Sequence, residues 1–425
     1  MKILKHHFVV FSSLLLFLLL LLIFQSFVVF HVRLTSNPIS DRYNASFLNH
    51  VSTKIRHREP NAILYVLREE IRHVPTAVIN GSSGTKPSRK WVKPVPSLEQ
   101  PPLNMTQENR TKWFRESFAS FKVLHSDSMS GQFSAKVKLF FKPCKLRFFM
   151  TWISRIESFG SRERLSIESV FKWNPSCCLL VISRTMDSEA GEEILRPFRS
   201  RGFRVMAAAP DLRYLFKKTP AEGWLRKVES GDIDPGEVSF AQNLSNILRL
   251  AALYKFGGVY IDADVILLRS FSGLKNAIGA QNRDPQTGRW NRLNNAVLAF
   301  DKRHPLLFKF IQEFALTFDG NKWGHNGPYL ATRVVTRVAN RTGYEFKIMP
   351  PIAFYPVDWT RIYSYFISPS DRGHAKWRSA KIMQLEKEGY AIHLWNKQSR
   401  ELNVEEGSIM HHIFNNHCIF CHSVL

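Results

Sequence analysis

The chain has 425 residues, 44% of them hydrophobic, enough for a large globular domain with an accessory region; this excludes a globally disordered chain. Fifty-nine Lys and Arg against 35 Asp and Glu give a formal charge of +24. Such an excess fits a solvated basic surface or an anionic ligand, and nucleic acid is set aside because a membrane segment and glycosylation signals place the chain away from it.

Residues 1–7 precede an apolar run of 23, Phe8 to Phe30, broken only by Ser12, Ser13, Gln25 and Ser26. As a helix it rises about 34 Å, enough to span a bilayer core. A cleavable signal would be shorter and end in a small-x-small site, which His31-Val32-Arg33-Leu34 lacks, so a retained anchor is expected over residues 8–30. Flanking charge is nearly neutral: Lys2 and Lys5 precede the run, Arg33 and Arg42 follow it. The sequons decide orientation. Asn44-Ala-Ser, Asn80-Gly-Ser, Asn104-Met-Thr and Asn109-Arg-Thr all follow the run, which predicts a type II protein with a cytosolic tail at 1–7 and a lumenal bulk.

Residues 31–145 are weakly patterned, with Pro94, Pro96, Pro101, Pro102 and the four sequons, and read as a lumenal stem with one short helix over Asn61–Ile71. They hold 19 basic and 8 acidic side chains, a net +11, so nearly half of the charge excess falls there. From Leu146 the pattern changes. Strands are predicted at 146–153, 177–182 and 203–208, alternating with helices at 161–172 and 194–201, the first ending before Asn174–Pro175 and the second at Gly202. This alternation predicts an α/β domain with a mostly parallel sheet over residues 146–425. Five cysteines are present: Cys144, Cys177, Cys178, Cys418 and Cys421. A zinc reading of Cys418-x-x-Cys421 with His422 lacks a second pair, so a disulfide tying the C-terminal segment to the domain is expected, with at least one thiol left over.

The stretch from Ser239 to Leu268 carries the chemistry. Ser239 suits a helix N-cap, Leu244, Ile247, Leu248, Ala251 and Ala252 recur at helical spacing, and Gly257–Gly258 stops the helix. Val259–Ile261 then enters the sheet as a short strand, and Asp262 and Asp264 sit at its carboxyl end, the edge where α/β sheets bind ligands. Alternate residues of an extended strand face opposite ways, so two carboxylates at i and i+2 reach one site only where the strand bends into a loop. A diphosphate leaving group needs such a site, because a hard divalent cation held there neutralises its growing charge.

The run Ser245-Asn246-Ile247-Leu248-Arg249 through Gly257-Gly258-Val259-Tyr260-Ile261-Asp262-Ala263-Asp264 resembles the DXD-containing α-1,4-glycosyltransferases, the group that includes globotriaosylceramide synthase and yeast α-mannosyltransferases, and most closely its plant members. Asn246 stands where many of that group carry Asp. The resemblance continues at 293–300, 324–328, 354–359 and 393–397 and covers roughly residues 146–425. It implies a GT-A-like catalytic domain, with a sugar-binding part at about 146–275 and a C-terminal part at about 290–425. It also implies a Golgi membrane address, Mn²⁺ or Mg²⁺ as cofactor, a UDP-sugar donor, a glycan or glycolipid acceptor, and retention of anomeric configuration.

The resemblance assigns roles as well. Asp264 ligates the metal, and Asp262 binds metal or ribose. Arg249 neutralises donor charge, the alternative being a helix-surface charge. His393 ligates the metal or meets the diphosphate, the alternative being a core histidine. Asn294 and Asn295 hydrogen-bond the donor sugar, the alternative being turn chemistry; Gly327 precedes Pro328 at a helix start near the sugar, the alternative being a simple turn; Asp358 and Trp359 shape the acceptor pocket, the alternative for Trp359 being the core; and Asn246, Tyr260 and Trp395 are further substrate-binding residues. Asn243-Leu-Ser lies on the site's own helix and is expected to be unglycosylated. An aspartate-nucleophile phosphatase also carries Asp-x-Asp after a strand, but near the start of its domain and with Thr or Val where Ile266 stands here. The remaining rival is a Golgi-resident, catalytically inactive glycosyltransferase-like binding protein.

Overall fold

The computed structural model describes residues 101–102 and 104–421; the expected anchor at 8–30, the short helix at 61–71 and the sequons at Asn44 and Asn80 lie outside the described residues. Among the described residues no helix is long and apolar enough to cross a membrane.

Nine strands are described: β1 (Arg147–Thr151), β2 (Cys178–Ile182), β3 (Arg204–Ala208), β4 (Gly258–Ile261), β5 (Val265–Leu267), β6 (Ala277–Arg283), β7 (Trp290–Phe300), β8 (Lys347–Met349) and β9 (Ala391–His393). Seven form one sheet in the order β3-β2-β1-β4-β7-β6-β8, and β5 pairs with β9 in a separate ribbon. The run β3-β2-β1-β4 is parallel, β7 is antiparallel to both neighbours, and β8 is parallel to β6. The sheet is therefore mostly parallel, as expected, with a polarity switch at β4/β7. The unbroken apolar runs of β1 and β2 follow from burial on both faces. Phe149, Leu180 and Tyr260 enter the core on one side, and Phe148, Leu179 and Val259 the core on the other.

The Phe240–Phe256 helix leads into β4 through Gly257 (φ +67°) and Gly258 (φ +133°). A Cβ on Gly257 would lie 2.6 Å from the Lys302 nitrogen, and one on Gly258 would lie 2.4 Å from the Arg147 carbonyl oxygen. Backbone strain and backbone collision thus combine at Gly258, and Gly258→Ala is expected to lower stability by about 3 kcal/mol, readable as a fall in melting temperature.

Two expectations are corrected. Residues 107–141 are no stem. Helices Gln107–Ser117 and Phe133–Phe141 bury Phe114, Phe133, Val137 and Phe141 in the same core as β1 and β2, and Arg110 pairs with Asp234 at 2.9 Å. The packed domain therefore takes in residues from the Gln107–Ser117 helix onward. Cys144 pairs with Cys178, fastening this region to β2, while Cys177 is a buried free thiol. Nor does a disulfide tie the C-terminal segment to the domain, because Cys418 pairs with Cys421. The tail is held by hydrogen bonds instead. The buried Glu168 carboxylate accepts from the backbone N–H groups of Ile419 (2.6 Å) and Phe420 (2.8 Å), and Lys172 donates to the Cys418 carbonyl at 3.1 Å.

His417 lies under this tail, 7% exposed, its Nδ1 accepting from Trp173 Nε1 at 2.9 Å. Burial, then the charges of Lys172 and His412, hold its pKa down at about 4. The unfolded chain takes up this proton near pH 6.5, so between there and about pH 4 the unfolded state binds more protons. Stability should fall as pH falls through that window, by up to about 3 kcal/mol from this residue. Urea denaturation at pH 7 and pH 4.5 should show the loss, and His417→Gln should reduce it.

Candidate active site

β4 ends at Ile261, and the Val265 N–H donates back to the Asp262 carbonyl at 3.1 Å, so Asp262-Ala263-Asp264 occupies a tight turn between β4 and β5. This bend brings alternate carboxylates to one place. β5 pairs antiparallel with β9, with Val265 opposite His393, which delivers an imidazole to the same turn. Ligand atoms of Asp262, Asp264 and His393 lie within 4.8 Å of one another.

Each member is fixed by neighbours. Asp264 Oδ1 lies 3.2 Å from His393 Nε2, and its Oδ2 accepts the Asn396 backbone N–H at 2.9 Å. Burial alone would raise the Asp264 pKa and lower that of His393; their mutual attraction reverses both, leaving Asp264 below the usual carboxylate range and His393 above the usual imidazole value. Asp262 accepts from Tyr260 at 2.6 Å and pairs with Arg249 at 2.9 Å. Tyr260 also meets Thr151 at 2.7 Å, and burial raises its pKa.

Arg249 is 5% exposed, and its guanidinium donates to Asp262 (3.2 Å), the Asn295 carbonyl (2.9 Å) and the Ser245 carbonyl and hydroxyl (3.3 and 3.0 Å) while lying over the Tyr260 ring. It is not a helix-surface charge; its guanidinium holds Asp262. Asn246 and Asn295 bond each other at 2.8 Å, with the Asn246 oxygen accepting. Asn294 engages Gln281 (3.2 Å) and the Ala296 N–H (2.9 Å). Gly327, which precedes the Pro328–Val338 helix, approaches so closely that a Cβ there would lie 2.8 Å from Asn246 Oδ1. Asn243 is buried, and its oxygen accepts from Asn326 at 2.9 Å. Trp395 packs edge-on to His393 (4.2 Å between centroids) and donates to the Val357 carbonyl at 3.0 Å. Asp358 caps Thr360, and Trp359 is exposed beside it, so these two lie on the loop that Trp395 touches, outside the carboxylate cluster. Asn396 was not singled out individually, although it lies within the stretch 393–397; Tyr355, which accepts from the Val297 N–H at 3.1 Å, was likewise hidden within 354–359.

Two carboxylates and an imidazole form a donor set suited to a hard divalent cation such as Mn²⁺. His393 Nδ1 is buried without a hydrogen-bond partner, so the ring keeps one nitrogen uncommitted.

The glycosyltransferase sugar-binding region containing DXD motif matches residues 160–284, and the alpha 1,4-glycosyltransferase conserved region matches 299–425. An uncharacterized Arabidopsis thaliana protein is 31% identical over 309 residues, covering 70% of this chain and 46% of that protein, so the chain spans about half the length of this relative. The lactosylceramide 4-alpha-galactosyltransferase of Pongo pygmaeus is 34% identical over 207 residues, 47% of this chain and 85% of that one. Among solved structures, the PaToxG glycosyltransferase is 20% identical, covering 54% of this chain and 78% of that chain with a TM-score of 0.34. The chain belongs to the α-1,4-glycosyltransferase family, with the DXD sugar-binding region at 160–284 and the α-1,4-glycosyltransferase region at 299–425.

Proposed function

We propose that this chain is a retaining α-glycosyltransferase that uses Mn²⁺ to move a hexose or N-acetylhexosamine from a UDP-sugar to a glycan or glycolipid acceptor. The observation that carries the reading is the convergence of Asp262, Asp264 and His393 within 4.8 Å at the end of β4. These residues would hold the cation, which supplies charge neutralisation for the departing diphosphate. The remaining chemistry belongs to the chain: Arg249 fixes one carboxylate, the Asn396 N–H fixes the other, and Trp395 and Trp359 offer aromatic surface suited to a sugar ring. Galactose is the favoured sugar by likeness to the orangutan relative, with N-acetylglucosamine as the other donor that the family resemblance implies. The run Phe8–Phe30 and the sequons support a type II Golgi anchor with the domain in the lumen. An inactive binding protein would gain support from a lost site group, but the acceptor role of Asn246 toward Asn295 is one an amide fills.

The test is UDP release by the full-length chain from a panel of UDP-sugars, with and without Mn²⁺. Release of UDP from one donor, dependent on Mn²⁺, is expected and names the sugar. Folded protein that neither turns over any donor nor binds UDP with Mn²⁺ refutes the reading.

A further inference from the structure

The Ser161–Trp173 helix buries four polar side chains, Glu163, Ser166, Glu168 and Ser169, each at most 3% exposed. Buried polar groups cost free energy unless bonded, so their partners show what each is for. Ser166 donates to the Val265 carbonyl at 2.7 Å, and Ser169 accepts the Leu267 N–H at 2.9 Å. One face of the helix thus pins β5, which begins immediately after Asp264.

Glu163, in the first turn, faces the opposite wall of the site. Its Oε2 accepts the Gly160 N–H at 2.9 Å, while its Oε1 accepts from Asn396 Nδ2 at 3.2 Å and from Arg400 at 2.5 Å. Its neighbour Arg162 donates to the carbonyls of Ser399 (2.6 Å) and Leu402 (2.7 Å). The first turn of one helix therefore clamps residues 396–402, and the leading N–H of that segment is the one bonded to Asp264 Oδ2 at 2.9 Å. The segment is entered through Trp395 at φ 55°, ψ 53°, a left-handed conformation that a bulky side chain keeps only when its surroundings over-determine it.

We propose that Glu163 is a positioning residue for Asp264: by holding Asn396 and Arg400 it keeps the Trp395–Arg400 turn in place, and with it the N–H that aims the Asp264 carboxylate. The inference rests on the transferase reading for its chemistry, but its geometry is independent of which sugar is moved. Glu168 is the matched comparison. It is an equally buried carboxylate on the same helix, yet it binds the C-terminal tail and has no contact with the site.

The experiment uses the full-length chain as wild type, Glu163→Ala, Glu163→Gln and Glu168→Gln. Mn²⁺ binding in the presence of UDP is measured by the electron paramagnetic resonance of free Mn²⁺, beside kcat, KM for the donor and melting temperature. Loss of an outer-shell partner typically weakens a metal site 10- to 100-fold. Glu163→Ala should weaken Mn²⁺ binding about tenfold and lower kcat. Glu163→Gln, whose single amide oxygen can still accept from Asn396 and Arg400 but then gives up the Gly160 N–H and the negative charge, should recover part of both. Glu168→Gln should lower the melting temperature and leave Mn²⁺ affinity unchanged. Wild-type Mn²⁺ affinity in Glu163→Ala overturns the proposal, as does a loss shared equally by Glu168→Gln; Glu163→Gln decides if the alanine variant does not fold. A wild-type chain that binds Mn²⁺ but neither binds UDP with it nor turns over any donor refutes the transferase reading alone, and the affinities still decide the role of Glu163. A wild-type chain that binds no Mn²⁺ overturns both.

Discussion

Asp264→Asn is expected to lose nearly all metal-dependent donor turnover, about a thousandfold or more, while the fold survives. The asymmetry follows from the contacts of the side chain. Asp264 Oδ2 accepts one backbone N–H and Oδ1 faces His393. An asparagine turned with its oxygen toward the Asn396 N–H places its amide hydrogens toward the imidazole, which accepts in its neutral form. The local hydrogen bonds are therefore replaced, and the melting temperature should change little. What is lost is the negative charge, and with it several kcal/mol of transition-state stabilisation that a bound cation supplies. Steady-state UDP release with and without Mn²⁺, beside thermal melting, reads both halves. A variant that keeps a tenth or more of wild-type kcat would remove Asp264 from the metal site.

Arg249→Met is expected to act in the reverse order, destabilising first. Arg249 is 5% exposed, and removing its guanidinium takes a donor from the Asp262 carboxylate, the Asn295 carbonyl and the Ser245 hydroxyl at once. Breaking such a pair from one side costs about 3 kcal/mol, because the surviving carboxylate loses its counter-charge and keeps only the Tyr260 hydroxyl as a side-chain donor. Turnover should fall as well, since Asp262 loses the group that orients it. Arg249→Lys should recover little, because one ammonium cannot span the partners that a planar fork reaches at once. Urea denaturation tests this directly. A loss under about 1 kcal/mol would show that Asp262 finds another partner and that Arg249 is dispensable to it.

Much of the sheet and the heart of the site were legible in the residues, for identifiable reasons. β1 and β2 read correctly because strands buried on both faces are apolar throughout, and the edge strand β3 because its apolar residues Val205 to Ala208 follow the helix stop at Gly202. Asp262 and Asp264 were legible because a helix stop, a short apolar strand and paired acids follow one another without a gap. His393 could be placed with them only through the family likeness, since nothing local says that β9 lies against β5. The helices at 107–117 and 133–141 were missed for a different reason. The first buries only Arg110 and Phe114 among eleven residues, too sparse a stripe to show as periodicity. Disulfide pairing was misjudged because spacing sets no connectivity. The contact of Arg249 with Asp262 is not legible, because its position in the motif does not reveal which way the side chain turns. Glu163 was invisible, since a lone glutamate in the first turn of a helix is the ordinary choice for a cap.

The β5–β9 ribbon also carries a consequence for synthesis. Asp264 and Asn396, bonded to each other, stand 132 residues apart in the chain. At about 5–20 residues per second, roughly 7 to 26 seconds of translation separate them. A nascent chain therefore carries its paired acids, with Arg249 already made, long before the imidazole of His393 can join them. The site closes late, by a non-local contact, once β9 has docked.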